Sequence, residues 1–146
     1  HKESAKYMLW QPTETDEDAK DRMKRTIVFE EKPENKYALF VYLKKTGEAI
    51  GFAGMRELEP GIYEETGIAL GPEFVQKGYG RQILTALLEE AGKLGAKEFH
   101  ACNRKGNAAS RELQLSCGFV FDSLSEEKTD PRTGETYVLE NHIYRY

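Results

Sequence analysis

Gly67-Ile68-Ala69-Leu70-Gly71-Pro72-Glu73-Phe74-Val75-Gln76-Lys77-Gly78-Tyr79-Gly80-Arg81 reads as the end of a strand, a loop and the start of a helix. The hydrophobic period changes inside it. Ile62 to Leu70 has strand character, whereas Ile83, Leu84, Leu87, Leu88 and Ala91 recur at helical spacing up to about Leu94. Glycines at the mouth of a helix let a ligand approach the backbone closely, and the unpaired N–H groups and positive dipole end there favour a phosphate. Lys77 and Arg81 add positive charge. A dinucleotide fingerprint would want a third glycine where Ile83 stands, and the G-K-[ST] of a phosphate loop does not occur. By itself, Gly78-Tyr79-Gly80 is equally well explained as a tight strand-to-helix turn.

Upstream, Tyr37 to Leu43, Glu48 to Leu58 and Ile62 to Leu70 read as a three-strand meander, turned at Lys44-Lys45-Thr46-Gly47 and Pro60-Gly61. Thr15 is a candidate N-cap for a preceding helix whose first turn is Asp16-Glu17-Asp18. Ala19, Met23 and Ile27 mark its period to about Glu31, and Pro33-Glu34-Asn35 breaks it. Downstream of the helix that starts at Arg81, Gly92 and Gly95 close that element. Lys97 to Cys102 reads as a strand, Asn107 to Cys117 as a helix stopped by Gly118, and Phe119 begins another strand. Thr129 to Gly134 is a loop and Thr136 to Tyr146 a final strand. The order predicts one α+β domain, a mixed sheet with helices packed on it.

Composition narrows the function classes. The 146 residues are 39% hydrophobic and 32% charged, the balance of a globular chain long enough for its own core. The net charge is −4 with no contiguous Lys/Arg stripe, which argues against a nucleic-acid partner. No apolar run approaches the ~20 residues of a membrane helix, and no signal peptide opens the chain. Cys102 and Cys117 form no C-x-x-C, and His1, His100 and His142 are too scattered to suggest zinc. The expectation is a cytoplasmic, metal-free domain.

Asn107-Ala108-Ala109-Ser110-Arg111-Glu112-Leu113 runs on to Gly118-Phe119 as N-x-x-S-x-x-L-x-x-x-x-G-F. With the glycine turn ahead of it, the chain resembles the GNAT superfamily of N-acetyltransferases from about Tyr7 to Tyr146. Tyr7-Met8-Leu9-Trp10-Gln11-Pro12 is also similar to the RimJ/RimL ribosomal-protein acetyltransferase branch. The chain opens on His1 without an initiator methionine, and the resemblance implies that the family's first strand and helix lie upstream. It further implies a mostly antiparallel central sheet with a V-shaped splay between two central strands and helices on both faces. Ile68, Ala69 and Leu70 would form the splayed strand end and pair with the pantetheine arm of acetyl-CoA, as an added strand does. Gln76, Lys77, Gly78, Tyr79, Gly80 and Arg81 would wrap its pyrophosphate, and Asn107 with Ser110 would bind near the thioester end.

The catalytic positions depart from the family pattern. Val75 stands where the glycine motif usually begins with Gln or Arg, Gln114 where many relatives carry a tyrosine acid, and Cys102 where some carry a base. An amine with pKa ~10 must shed a proton before it attacks a thioester. Glu65 and His100 are the candidate bases, and a main-chain N–H near Ala69 or Leu70 is the candidate oxyanion donor. Tyr79 and Ser116 are weaker candidates for an acid, and Cys102 reads as a small buried residue. Glu57, Glu59, Glu64 and Glu65 crowd one hairpin, where they would either steer a cationic amine or simply be solvated. The reading is an acetyl-CoA-dependent N-acetyltransferase acting by direct attack on a small-molecule or peptide amine. The rivals are a catalytically weak acyl-CoA-binding module and a nucleotide-binding domain. Oligomeric state is open, a homodimer included.

Overall fold

The structure, a computed structural model, describes residues 15–31, 37–131 and 133–146. The segment from Tyr7 to Pro12 and the breaker Pro33-Glu34-Asn35 lie outside the described residues, as does the side chain of Ile27. Thr15 caps helix α1 (Asp16–Glu30) as expected: its hydroxyl accepts from the Asp18 N–H at 3.1 Å and donates to the Asp18 carboxylate at 2.8 Å. Ala19 and Met23 mark no buried stripe, however. Both are exposed, because the charged residues Lys20, Asp21, Arg22, Lys24 and Arg25 leave the helix polar nearly all round.

The meander forms as the alternation dictates. Strands β1 (Ala38–Tyr42), β2 (Ala49–Glu59) and β3 (Ile62–Leu70) pair antiparallel in chain order. Gly47, at φ +73°, closes the first turn by donating to Leu43 O at 2.8 Å. After a single 3-10 turn at Pro72–Phe74 come helix α2 (Tyr79–Lys93), strand β4 (Glu98–Arg104), helix α3 (Ala108–Ser116) and strand β5 (Val120–Leu124). A short hairpin, β6 (Lys128–Thr129) with β7 (Thr136–Tyr137), precedes strand β8 (Leu139–Arg145). The six-stranded sheet has the order β1-β2-β3-β4-β8-β5 and is antiparallel except where β3 meets β4.

Two boundaries differ from expectation. β4 continues to Arg104 instead of stopping at Cys102, because it stays paired with β8 as far as Arg104 opposite Leu139. Asn103, polar enough to read as a turn, is buried there with its amide donating to Glu140 Oε2 at 2.8 Å. The final strand breaks at Val138, whose carbonyl leaves the ladder to accept from the Lys105 N–H at 2.8 Å. The expected loop from Thr129 to Gly134 is therefore the tip of the β6–β7 hairpin.

The core lies on one face of the sheet. Leu84, Leu87, Leu88 and Ala91 form the buried side of α2 and pack on Ala53, Met55, Tyr63, Phe99, Ala101 and Phe119. Phe99 and Phe119 meet edge to face at 6.1 Å. On β2, Gly51 permits a close approach to β3: a Cβ there would stand 2.1 Å from Ala69 O and 3.0 Å from Leu70 Cα. Gly51→Ala must therefore push the end of β3 aside. The expected loss is about 1–3 kcal/mol, the range of core overpacking, measured as a lower urea midpoint at unchanged m value.

Candidate active site

The parallel pairing of β3 and β4 is short. It runs Ile62 to Glu98, Tyr63 to Phe99 and Glu64 to His100, and then stops. β3 continues to Leu70 bonded in the sheet to β2 alone, and β4 continues to Arg104 bonded to β8 alone. Thr66 is an extra residue on β3, since Gly54 faces Gly67 and Met55 faces Glu65. Such a bulge bends its strand and increases local twist, which carries β3 away from β4. Ile68, Ala69 and Leu70 lie half-buried on this diverging end. Parallel strands end at the same edge of a sheet, so the loops into α2 and α3 both start beside the gap.

At the first of these loops, Val75 is extended, Gln76 is left-handed at φ +57°, and Gly78 sits before α2 at φ +81°, ψ 0°. A Cβ on Gly78 would meet nothing within 4 Å, so the turn faces open space. Gly78 has no side chain to cap α2, which leaves the first N–H groups of the helix available to a ligand. This geometry fits a pyrophosphate. Arg81 and Gly78 also line an open groove of about 450 Å³ along α2 with Thr85 and Glu89. Gly80 faces α3: a Cβ there would meet Leu113 at 3.4 Å, an ordinary van der Waals contact. Lys77 Nζ stands 5.9 Å from the Phe74 ring centroid, and Tyr79 meets the same ring edge-on at 6.5 Å.

At the second loop, Asn107 caps α3, its Oδ1 accepting from the Ser110 N–H at 3.3 Å. Ser110 Oγ accepts from Gln114 Nε2 at 3.4 Å. Gln114, the tyrosine's replacement, is buried with Oε1 unpartnered among the described residues. Ser116 donates its hydroxyl to Leu113 O at 2.8 Å, a bond within its own helix.

A cavity of about 210 Å³ opens where β3 and β4 part. Its lining brings together both sequence-derived bases, Glu65 and His100, with Glu64, Cys102, Asp122, Ser123 and Asn141. Burial pushes the Glu65 carboxyl up to about 7. It has no hydrogen bond or ion pair among the described residues, so nothing offsets the desolvation. His100 is less free: its Nε2 bonds Glu98 Oε2 at 2.9 Å, and Glu98 also accepts from Arg145 Nε at 3.2 Å. The His100 bond and then the Arg145 charge hold the Glu98 carboxyl below its ordinary value, against the opposing effect of burial. Cys102, expected to be small and buried, is instead exposed, because its side chain faces the open cavity. Partial desolvation and the nearby carboxylates Glu65 and Glu64 still push its thiol up, which suppresses its nucleophilic form.

The acidic hairpin is only partly available. Arg56 pairs with Glu64, and Glu57 accepts from the Gly61 N–H at 3.0 Å. Asp122, Ser123 and Asn141 were not singled out from the sequence. They converge because β8 lies between β4 and β5, and because a register shift lifts Asp122 out of the β5–β8 ladder. Among the described residues, no cluster of three or more His, Cys, Asp and Glu side chains could hold a metal, and no helix is long and apolar enough to cross a membrane.

Residues 1–120 match the family defined as the acetyltransferase (GNAT) domain, and the chain belongs to that family. It is an acetyl-CoA-dependent N-acetyltransferase. A GNAT-family acetyltransferase from Bacillus anthracis superposes with TM-score 0.79 at 16% identity, over 98% of this chain and 81% of that one. Spermidine N-acetyltransferase from Vibrio cholerae, solved with CoA and spermine, gives 0.77 at 17%, over 99% and 83%. A provisionally named ribosomal-protein-serine acetyltransferase from Vibrio cholerae gives 0.77 at 21%, over 94% and 79%. At these identities the likeness is one of fold. No curated protein sequence matches the chain.

The raised carboxyl predicts a pH signature in stability. Between its ordinary value of 4.5 and about 7, folded Glu65 keeps a proton that the unfolded chain has released. The resulting stabilisation is full below pH 4.5 and lost as pH rises through 7, on the order of 2 kcal/mol for a partly buried group. Glu65→Gln should flatten that fall and unfold at higher urea than wild type at pH 8.

Proposed function

We propose that this enzyme transfers acetyl from acetyl-CoA to a primary amine bound in the cavity at the β3–β4 divergence, with Glu65 as general base. The observation that carries the reading is an unpaired carboxyl near pKa 7 lining that cavity. Near neutral pH such a group is ionised often enough to accept a proton and basic enough to take one from an ammonium. The neutral amine then attacks the thioester carbonyl carbon, the nitrogen of the tetrahedral intermediate loses its second proton to solvent, and the C–S bond breaks to leave the amide and the thiolate. A main-chain N–H near Ala69 or Leu70 is the proposed oxyanion donor, since the diverging end of β3 has groups that no neighbouring strand uses. The leaving thiolate has a pKa near ~8.5 and departs without a dedicated acid, which accommodates Gln114 in place of tyrosine.

Gln76 to Arg81 would hold the pyrophosphate, Ile68 to Leu70 the pantetheine arm, and Asn107 with Ser110 the end near the thioester. These groups border the gap between β3 and β4, and the cavity opens at the same divergence, so donor and acceptor would meet there. The lining holds Glu64, Glu65 and Asp122 but no Lys or Arg, which favours an amine carrying a second positive charge. Spermidine is the acceptor named for one structural neighbour and a ribosomal protein that named for another, so a polyamine and a protein N-terminus are the two acceptor classes to test first. The second would place the chain in the RimJ/RimL-like branch. An intact base in a formed cavity weighs against a binding-only module.

Release of free thiol from acetyl-CoA, followed against spermidine and a serine-initiated peptide, tests the reading. Activity should rise with pH to a plateau above about 7. Glu65→Gln should lower kcat/KM by ~10²-fold, the size of a general-base contribution, and His100→Gln by less. Two variants within a few-fold of wild type would remove both residues as bases. Gly78→Asp should weaken acetyl-CoA binding at least ~10-fold by setting a negative charge at the phosphate turn, read by calorimetry. Unchanged affinity would show that the pyrophosphate lies elsewhere.

A further inference from the structure

The β6–β7 hairpin is held by an ion pair that surface chemistry does not explain. Two-residue strands do not order themselves in water. Arg104, the last residue of β4, donates from Nη2 to Asp130 Oδ2 at 2.7 Å, and its guanidinium stacks 4.0 Å from the Tyr137 ring centroid. Asp130 is 1% exposed at the hairpin tip, and its backbone is fixed as well, donating to Glu135 O and accepting from the Gly134 N–H, both at 2.8 Å. Successive residues of a strand alternate faces, so Arg104 follows His100 and Cys102 on the cavity face of β4. The clamp therefore seats the hairpin at the next position along from the cavity. Lys128, on β6, is close enough for its charge to act on the Cys102 thiol, opposing the push from Glu65 and Glu64.

We propose that Arg104 and Asp130 are positioning residues that hold the β6–β7 hairpin as a wall of the acceptor site. The inference rests on the reading of the cavity as that site. Neither residue touches the reacting atoms. They act by fixing where the hairpin, with its Lys128 ammonium, stands against an otherwise acidic cavity, and so govern which amines fit and how tightly.

The test is steady-state kinetics of Asp130→Asn and Arg104→Gln, with acetyl-CoA and whichever of spermidine or a serine-initiated peptide the wild type acetylates faster. Native-state trypsin cleavage after Lys128 reports release of the hairpin. The expected result is acceptor KM up ~10-fold or more, acetyl-CoA KM within twofold, and faster cleavage. Tyr137→Leu keeps the ion pair and removes only the stacked ring; it should shift acceptor KM in the same direction and stands in if the charge variants do not fold. Ser123→Trp, which fills the cavity from β5, separates the two claims. If it leaves acceptor KM unchanged, or if the wild type acetylates neither probe, the acceptor-site reading fails and takes the inference with it. If Ser123→Trp raises acceptor KM while the clamp variants do not, the inference alone fails. A proportional rise in acetyl-CoA KM overturns it too, because the pair would then serve the fold at large.

Discussion

Backbone hydrogen bonding between β3 and β4 ends after Glu64 and His100, and the functional geometry depends on that early end. Buried backbone groups need partners, so strands separate inside a sheet only where something forces them and something else can occupy the edges. The force here is the extra residue Thr66, and the room for it comes from the small residues opposite. Gly51 lets the end of β3 ride directly over β2. The two exposed edges then offer donors and acceptors to an extended ligand, and the shared direction of β3 and β4 brings two helix starts to the same rim.

The meander, the order of the elements and the glycine turn before α2 were legible in the sequence because each is a local signal. Alternation, a turn tetrapeptide or an N-cap needs no knowledge of distant residues. Glu65 and His100 were singled out from their place on strands, and both line one cavity. What could not be read is what depends on β8. That strand inserts between β4 and β5, and only this insertion carries Asn141 beside Ser123 and extends β4 through the buried Asn103. The approach of Leu113 to Gly80 could not be read for a related reason, since it arises only through the packing of α3 on α2.

Burial of Glu65 ties reactivity to instability. The same loss of water that lifts its carboxyl to about 7 makes its ionised form unfavourable in the folded state. Glu64, one residue earlier, pairs with Arg56 of β2. Adjacent glutamates of one hairpin thus differ in their partners: Glu64 reaches Arg56 across the β2–β3 pair, and Glu65 meets no cation among the described residues.

Among the described residues, three residue pairs join the β1-β2-β3 half of the sheet to the β4-β8-β5 half along the strands, and the Lys97 and Glu98 N–H groups add bonds to Gly61 O at the start of that seam. Elsewhere between the halves the connection is made by side chains packed against α2, notably Phe99 and Tyr63. A plate joined by a narrow seam bends most easily about that seam. The softest motion of this domain is therefore a hinge that widens or narrows the gap between the strand ends, and thermal fluctuation is channelled into the one dimension along which donor and acceptor must be brought together.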